Sequence, residues 1–276
     1  MAEVPFTLLM PVYRGDDPVH FARAFTSTVI DQRVRPSQVV LVQDGPVGDE
    51  LAAAIHDAIA QSPVPVTFEA IEHNVGLARA LTRGLALSEH DIVARMDADD
   101  VSLSERFARQ LPLVVDGADL VGTGMLEFLD DDGSVVGRRV PRTAHDDIVA
   151  YSRFHDPFSH PTVMYRRSAV ERAGGYEPMG LMEDYWLFAR MIHSGASVAN
   201  LADPLVMYRV GAGAYARRGG RAQWRSELAL QKALRGIGFT TRAQYLRNVA
   251  VRGVYRFVPE RIRTVMYRRW IAGGEA

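Results

Sequence analysis

Apolar residues cluster near the start of the chain in four short runs, residues 6–10, 39–42, 66–68 and 91–94, each long enough for one buried strand. The stretches between them, near 19–32, 49–61 and 76–88, carry apolar residues at helical spacing with Gly, Asp or Ser at their edges. This alternation predicts an α/β fold, a mostly parallel sheet with helices on both faces. Such sheets place ligands beyond the carboxyl ends of their strands. Three of those ends carry chemistry: Pro11-Val12-Tyr13-Arg14, Gln43-Asp44-Gly45 and Met96-Asp97-Ala98-Asp99-Asp100.

Past residue 119 the pattern is mixed. Glu127-Phe128-Leu129, an Asp-Asp-Asp-Gly turn ending at Gly133, and Val135-Val136 predict a hairpin, because Asp-Gly suits a tight turn. A helix with Tyr185, Leu187 and Met191 follows the acidic pair Glu183-Asp184. Residues 242–270 intersperse aromatic and aliphatic residues with eight arginines, and Pro259 divides them into two predicted helices. The expected organisation is a body over residues 1–220 and a basic amphipathic helical extension over 221–276.

Composition narrows the class. The chain has 276 residues, 47% hydrophobic and 24% charged, as soluble globular proteins do. It has no cysteine, which excludes disulfides, thiolate metal sites and cysteine nucleophiles. No basic leader precedes an apolar stretch and no apolar run approaches a membrane span, so a cytoplasmic location is expected. The net charge of −1 conceals two halves of opposite sign: from Leu205 onward there are 15 basic residues and three acids. That suggests an acidic body with an anion-seeking tail; Arg-rich codon usage is the blander explanation.

The sharpest chemical feature is Asp97-Ala98-Asp99-Asp100. Beyond a strand end, side chains at i and i+2 point the same way, so Asp97 and Asp99 can converge on one hard cation. The alternative is a solvated acidic turn ahead of a helix near Ser104. An EF-hand loop does not fit, since Ser102 and Ala108 stand where it needs Gly and Glu. A phosphatase Asp-x-Asp-x-Thr does not fit either, because Val101 replaces the Thr. The Gly-x-Gly-x-x-Ala stretch from Gly211 lies too late, with no opening βαβ unit, for a dinucleotide site.

The stretch from Ala94 to Val101 with Arg106-Phe107 and Gln110 resembles family 2 glycosyltransferases of bacterial surface-polysaccharide pathways, nearest the amylovoran type. Met10-Pro11-Val12-Tyr13, Gln43-Asp44-Gly45, Asn74-Val75-Gly76-Leu77, His160-Pro161-Thr162, Gly174-Gly175-Tyr176, Glu183-Asp184-Tyr185 and Tyr208-Arg209 match in order. The resemblance implies a GT-A fold, a divalent cation (Mn²⁺ or Mg²⁺), a nucleotide-sugar donor with UDP favoured, and inversion at the anomeric carbon.

Carried onto this chain, Pro11, Val12 and Tyr13 hold the base and Asp44 faces base or ribose. Asn74, Gly76 and Arg79 line the nucleotide site. Asp97, Ala98 and Asp99 handle ribose and metal, with Asp97 and Asp99 as ligands, and Asp184 is the catalytic base. His160 is placed on phosphate or acceptor, with a hydrogen-bonded core histidine as the alternative. Arg209, Arg217 and Arg218 are read as a Gly-flanked loop closing on the diphosphate, or as a basic loop without ligand. Many family members carry a metal-binding histidine after the Tyr-Arg pair; Val210 and Gly211 stand here.

A helix N-terminus lowers the basicity of a carboxylate, so Asp184 needs burial to offset that effect. The expected acceptor is a glycan or polyprenyl-linked glycan, reached at the cytoplasmic face of an anionic membrane through the Arg-rich tail. Nucleic acid is not expected as a partner. A sugar-1-phosphate nucleotidyltransferase and a non-catalytic glycan- or nucleotide-binding module are the alternative functions.

Overall fold

A computed structural model describes residues 4–129, 133–210 and 220–257. The first half alternates as the apolar pattern requires: β1 (Thr7–Tyr13), α1 (Pro18–Phe25), β2 (Gln38–Asp44), α2 (Asp49–Gln61), β3 (Val66–Ile71), α3 (Leu77–Leu87) and β4 (Ile92–Arg95). β5 (Val101–Ser102), α4 (Arg106–Val115), β6 (Leu120–Phe128), β7 (Val135–Arg139), α5 (His145–Ser152) and β8 (Met164–Arg166) come next. The described chain closes with α6 (Arg167–Arg172), α7 (Glu183–His193), β9 (Val198–Arg209), α8 (Gly220–Gly236) and α9 (Arg242–Phe257).

Nine strands form one sheet among the described residues, in the order β3-β2-β1-β4-β8-β6-β9-β5, with β7 paired to β6. The block β3-β2-β1-β4 is parallel throughout. β8 then runs antiparallel to both β4 and β6, while β9 lies parallel to β6. The predicted hairpin is the antiparallel pair β6–β7. Residues 130–132 of its turn lie outside the described residues.

Alternation along β1 explains the layers. Leu8 and Met10 point to one face and pack with Phe21, Phe25, Leu51, Ile55 and Phe107, from α1, α2 and α4. Leu9 points to the other face, among Leu81, Leu85, Phe188 and Leu230, from α3, α7 and α8. Fully burying one such leucine is worth about 2 kcal/mol. Leu230, Leu234 and Phe239 belong to this second cluster, so α8 and the residues after it complete the core on that face.

α1 begins where Asp17 accepts from the backbone N–H groups of Val19 and His20, with Pro18 in the first turn. Its continuation over Thr26–Ile30 widens into a π turn, where Ser27 and Thr28 both donate to the Ala24 carbonyl. The Ser27 hydroxyl also receives the Ser102 N–H, which fixes the loop carrying the acidic residues.

Candidate active site

The parallel register sets the site. Tyr13, the last residue of β1, lies beside Asp44, the last of β2, and Arg95 ends β4 next to Leu9. The three informative strand ends therefore open on one edge of the sheet. Asp44 is buried there with both carboxylate oxygens turned into the next connection. They accept from Val75 N at 2.6 Å, Gly76 N at 2.9 Å and Asn74 Nδ2 at 2.9 Å. A Cβ on Gly45 would lie 2.6 Å from Asn74 N, and φ of +85° already favours glycine there. Asp44 thus supports the loop over Asn74 to Gly76 and leads into α3. The same carboxylate stands at the sheet edge where base or ribose is expected. Pro11 and Val12 are buried beneath the edge, whereas Tyr13, Asn74 and Arg79 are exposed along it.

The acidic loop lies beyond β4. One oxygen from each of Asp97, Asp99 and Asp100 can be chosen so that all three lie within 4.8 Å of one another. Asp97 pairs with the buried Arg95. Asp100 accepts from Arg209 N at 2.8 Å, and its Oδ2 is buried without a hydrogen-bond partner. Arg209 Nε donates to the Asp99 carbonyl at 2.7 Å, and its guanidinium lies 4.6 Å from the Phe128 ring centroid. The end of β9 is thereby fastened to the loop, and Arg209 does reach the acidic residues. Ala98 is buried and shapes the turn.

Burial and the charges of Asp97 and Asp99 push Asp100 well above the usual carboxylate range, and burial with the Asp97 charge also raises Asp99. Asp16, on the loop after β1, is pushed up to about 7 by burial, with Asp99 and Asp97 adding to the shift. Hard oxygen donors at this spacing, one of them buried and unsatisfied, fit a divalent cation. The sequence reading missed Asp100 as the third carboxylate of the cluster and Asp16 as a neighbour. The run of three acids signalled the first; the chain reversal that brings in Asp16 had no local signature.

A second acidic position opens α7. Asp184 is half-buried, and its Oδ1 accepts from Tyr185 N at 2.8 Å. Burial raises its pKa despite the opposing Tyr185 N–H and the Arg95 charge. The offset that the helix N-terminus demands is therefore present. Glu183 beside it is pushed up to about 7 by burial and by the Asp184 charge. Asp156, from the loop after α5, lies within electrostatic reach of Asp184 and is raised well above its usual range by burial and that charge. Sequence reasoning passed over Asp156. Asp184 also feels the Asp97 charge, so the two acidic positions lie within electrostatic reach of each other.

One other expectation resolves in the core. His160 is buried, its Nε2 lies 2.9 Å from the Tyr176 hydroxyl, and its ring meets Phe188 edge-on. Burial and the Arg95 charge hold it well below its usual pKa, so it is neutral. The placement on phosphate is corrected to the hydrogen-bonded core histidine. Met182, Tyr185 and Trp186 belong to the apolar cluster. Arg217 and Arg218 lie outside the described residues.

The described part of the extension is tied to the second acidic position. Arg252 Nη1 pairs with the fully buried Glu227 of α8 at 2.8 Å, and its Nη2 donates to the Phe154 carbonyl at 2.6 Å. Asn248 bridges the Arg153 carbonyl at 2.8 Å and Gln231 at 3.0 Å. Tyr185, the neighbour of Asp184, donates to the Ser152 carbonyl at 2.7 Å. The loop that carries Asp156 is thus held by α7 on one side and α9 on the other. No helix of the described residues is long and apolar enough to cross a membrane.

A parallel half-sheet, a mixed second half and an acidic loop at the carboxyl edge define a GT-A glycosyltransferase. Glycosyl transferase family 2 matches residues 7–174, and the chain belongs to that family. It is 32% identical over 269 residues to the amylovoran biosynthesis glycosyltransferase AmsE of Erwinia amylovora, covering 96% of this chain and 98% of that one. It is 29% identical over 269 residues to an Escherichia coli UDP-Gal:alpha-D-GlcNAc-diphosphoundecaprenol beta-1,3-galactosyltransferase, covering 96% of each.

Among solved structures, S. aureus TarS 1-349 in complex with UDP-GlcNAc superposes with a TM-score of 0.63 at 14% identity, covering 97% of this chain and 76% of that one. The mannosyltransferase PcManGT of Pyrobaculum calidifontis, in complex with GDP-Man and Mn²⁺, gives 0.63 at 16% identity, covering all of this chain and 77% of that one. The nucleotidyltransferase and non-catalytic alternatives give way to the family.

Proposed function

We propose that this glycosyltransferase moves one sugar from a UDP-sugar to a lipid-linked diphosphate glycan, with inversion, during synthesis of a surface polysaccharide. The observation that carries the reading is Asp184: a half-buried carboxylate of raised pKa, within electrostatic reach of Asp97 in a set of three converging aspartates. The near full-length E. coli relative supports UDP and the polyprenyl diphosphate acceptor by its name.

In this reading the backbone from Pro11 to Tyr13 and the connection Asn74–Arg79 bind the nucleoside. Asp97, Asp99 and Asp100 hold a divalent cation, which when bound neutralises the diphosphate and makes it a better leaving group. Arg209 steadies the loop that does so. Asp184 takes the proton of the acceptor hydroxyl on Oδ2, since Oδ1 is engaged by Tyr185 N–H. The acceptor oxygen bonds to the anomeric carbon as the bond to the diphosphate breaks on the opposite face. One displacement gives one inversion.

The outward residues of α9 support work at a membrane surface: Leu246 and Val251 are 60% and 54% exposed, with Arg242 and Arg247 also exposed. Basic and apolar groups on one face suit the cytoplasmic leaflet. The reading is tested by incubating the full chain with UDP-sugars, Mn²⁺ and a GlcNAc-diphosphoryl lipid, and assigning the product anomer by NMR. An inverted glycoside is expected; retention, or transfer only from GDP- or dTDP-sugars, contradicts the mechanism or the donor respectively.

A further inference from the structure

The loop between α5 and Asp156 carries a cationic, aromatic surface that the transfer chemistry above does not use. The Arg142 guanidinium lies 6.0 Å from the Tyr151 ring centroid. That ring stacks on His155 at 4.7 Å with 20° between planes. The Arg247 guanidinium, from α9, lies 4.6 Å from the Phe154 ring. Arg153 sits between them in the chain. All three arginines are exposed, and none pairs with a carboxylate among the described residues. The charge of Arg247, with that of Arg252, also reaches His155, whose pKa is lowered by burial and by these two groups.

The mounting is rigid. The Arg153 and Phe154 carbonyls are each taken by α9, from Asn248 and Arg252, and Ser152 is taken by Tyr185. The next residue after His155 is Asp156, which lies within electrostatic reach of Asp184. Moving along this loop, the surface passes from arginines without a carboxylate partner to the carboxylate of Asp156. Arginine forks suit phosphate oxygens, whereas carboxylates accept from sugar hydroxyls. An acceptor whose diphosphate is joined directly to its first sugar has the same order of groups.

We propose that Arg142 and Arg247, around the Tyr151–His155 stack, form the subsite for the acceptor's diphosphate, on the loop that leads into Asp156. The site rests on the acceptor class proposed above and gives the extension a role in acceptor binding, because Arg247 comes from α9. The shared chemistry is a diphosphate ester. An anionic phospholipid surface offers phosphates too, and the test separates the two sources.

Calorimetry on the full chain in EDTA, so that no cation holds phosphate at the acidic loop, would use undecyl diphosphate as probe. Inorganic pyrophosphate serves as competitor, and phosphatidylglycerol vesicles as the membrane arm. Both substituted side chains are exposed, so the Arg142→Ala/Arg247→Ala variant is expected to melt like the parent. It should bind undecyl diphosphate at least about tenfold more weakly. Its binding of UDP with Mn²⁺ should be unchanged, and pyrophosphate should displace the probe from the parent.

Equal probe affinity in parent and variant overturns the proposal and leaves the arginines as solvated groups at the end of α5. No competition by pyrophosphate overturns it as well, since the alkyl chain would then be the bound part. Loss of vesicle binding without loss of probe binding makes the patch a general membrane contact and also overturns it. Failure of the parent to bind UDP while the probe behaves as expected removes the donor reading and leaves the diphosphate subsite standing.

Discussion

The cleft holds carboxylates in two places, and their surroundings assign them opposite work. At the end of β4, Asp97, Asp99 and Asp100 converge closely enough to share a cation, with the buried Arg95 and Arg106 behind them. At the start of α7, Asp184 lies within electrostatic reach of Asp156 and Glu183, and these three do not converge on a cation site among the described residues. In the proposed mechanism, convergence suits one set to a cation, and burial without convergence suits the other to accepting a proton. On this proposal the same functional group serves binding in one place and chemistry in the other, and the neighbours decide which.

The largest effect should follow from Asp184→Asn, which removes the proton acceptor without altering shape. Turnover is expected to fall by about 10²–10⁴-fold with UDP affinity unchanged, read from kcat and nucleotide titration. Glu183→Gln should retain most activity; if it is the inactive one, the base is assigned to the wrong neighbour. Asp100→Asn sharpens the other side. It should weaken Mn²⁺-dependent UDP binding at least about tenfold, with little change in EDTA, because Asp100 completes the cation set.

A third comparison concerns the strut between the extension and the cleft. Arg252→Ala removes one charge-assisted contact from the buried Glu227, which still accepts from Gln231, and chemical denaturation should show a loss of about 2 kcal/mol. Arg252→Lys, which can still pair with Glu227, should recover part of it.

The smallest effect is in pH. The folded pKa of Glu183, about 7, lies above its unfolded value, so in the range between the two the native state binds the extra proton. Its contribution to stability is full below the unfolded pKa and is lost as pH rises through about 7. The Glu183→Gln protein should therefore show a flatter fall of Tm between about pH 4.5 and 7.5 than the parent. In turnover the sign reverses for Asp184: activity should rise with pH, along a limb above the usual carboxylate range.

The parts of the fold that could be read from sequence are those where one residue pattern has one physical solution. The runs around Leu9, Val40 and Val93 are too short for helices and too apolar for loops, and each is a buried strand. Asp97 and Asp99 were legible because they follow such a strand directly. The mixed half was less so: β6 is nine residues of nearly uninterrupted burial, yet its glycines and Glu127 blur the pattern, and only its hairpin end stood out.

Charged residues misled in both directions. Arg95 and Arg106 are fully buried beneath the acidic loop, where an arginine is expected outside, and Arg106 is pushed down to about 9 by burial and by Arg95. His160 belongs to a motif shared with the family but spends its ring nitrogen on Tyr176. Asp16 and Asp156 reach the cleft only through chain reversals between elements, which no local spacing announces. The tail's basic pattern was visible, while the use of Arg252 and Asn248 as struts depends on where α9 packs. The second predicted tail helix, after Pro259, lies outside the described residues.

The most direct test is a parallel titration of UDP, with Mn²⁺ and with EDTA, into the parent, Asp99→Ala and Asp184→Asn proteins, followed by a transfer assay on each. The two-part cleft predicts that Asp99→Ala loses the metal-dependent binding while Asp184→Asn binds within about twofold of the parent and transfers nothing. Normal metal-dependent binding by Asp99→Ala, or nucleotide affinity lost in Asp184→Asn, would contradict the division of labour between the two acidic positions.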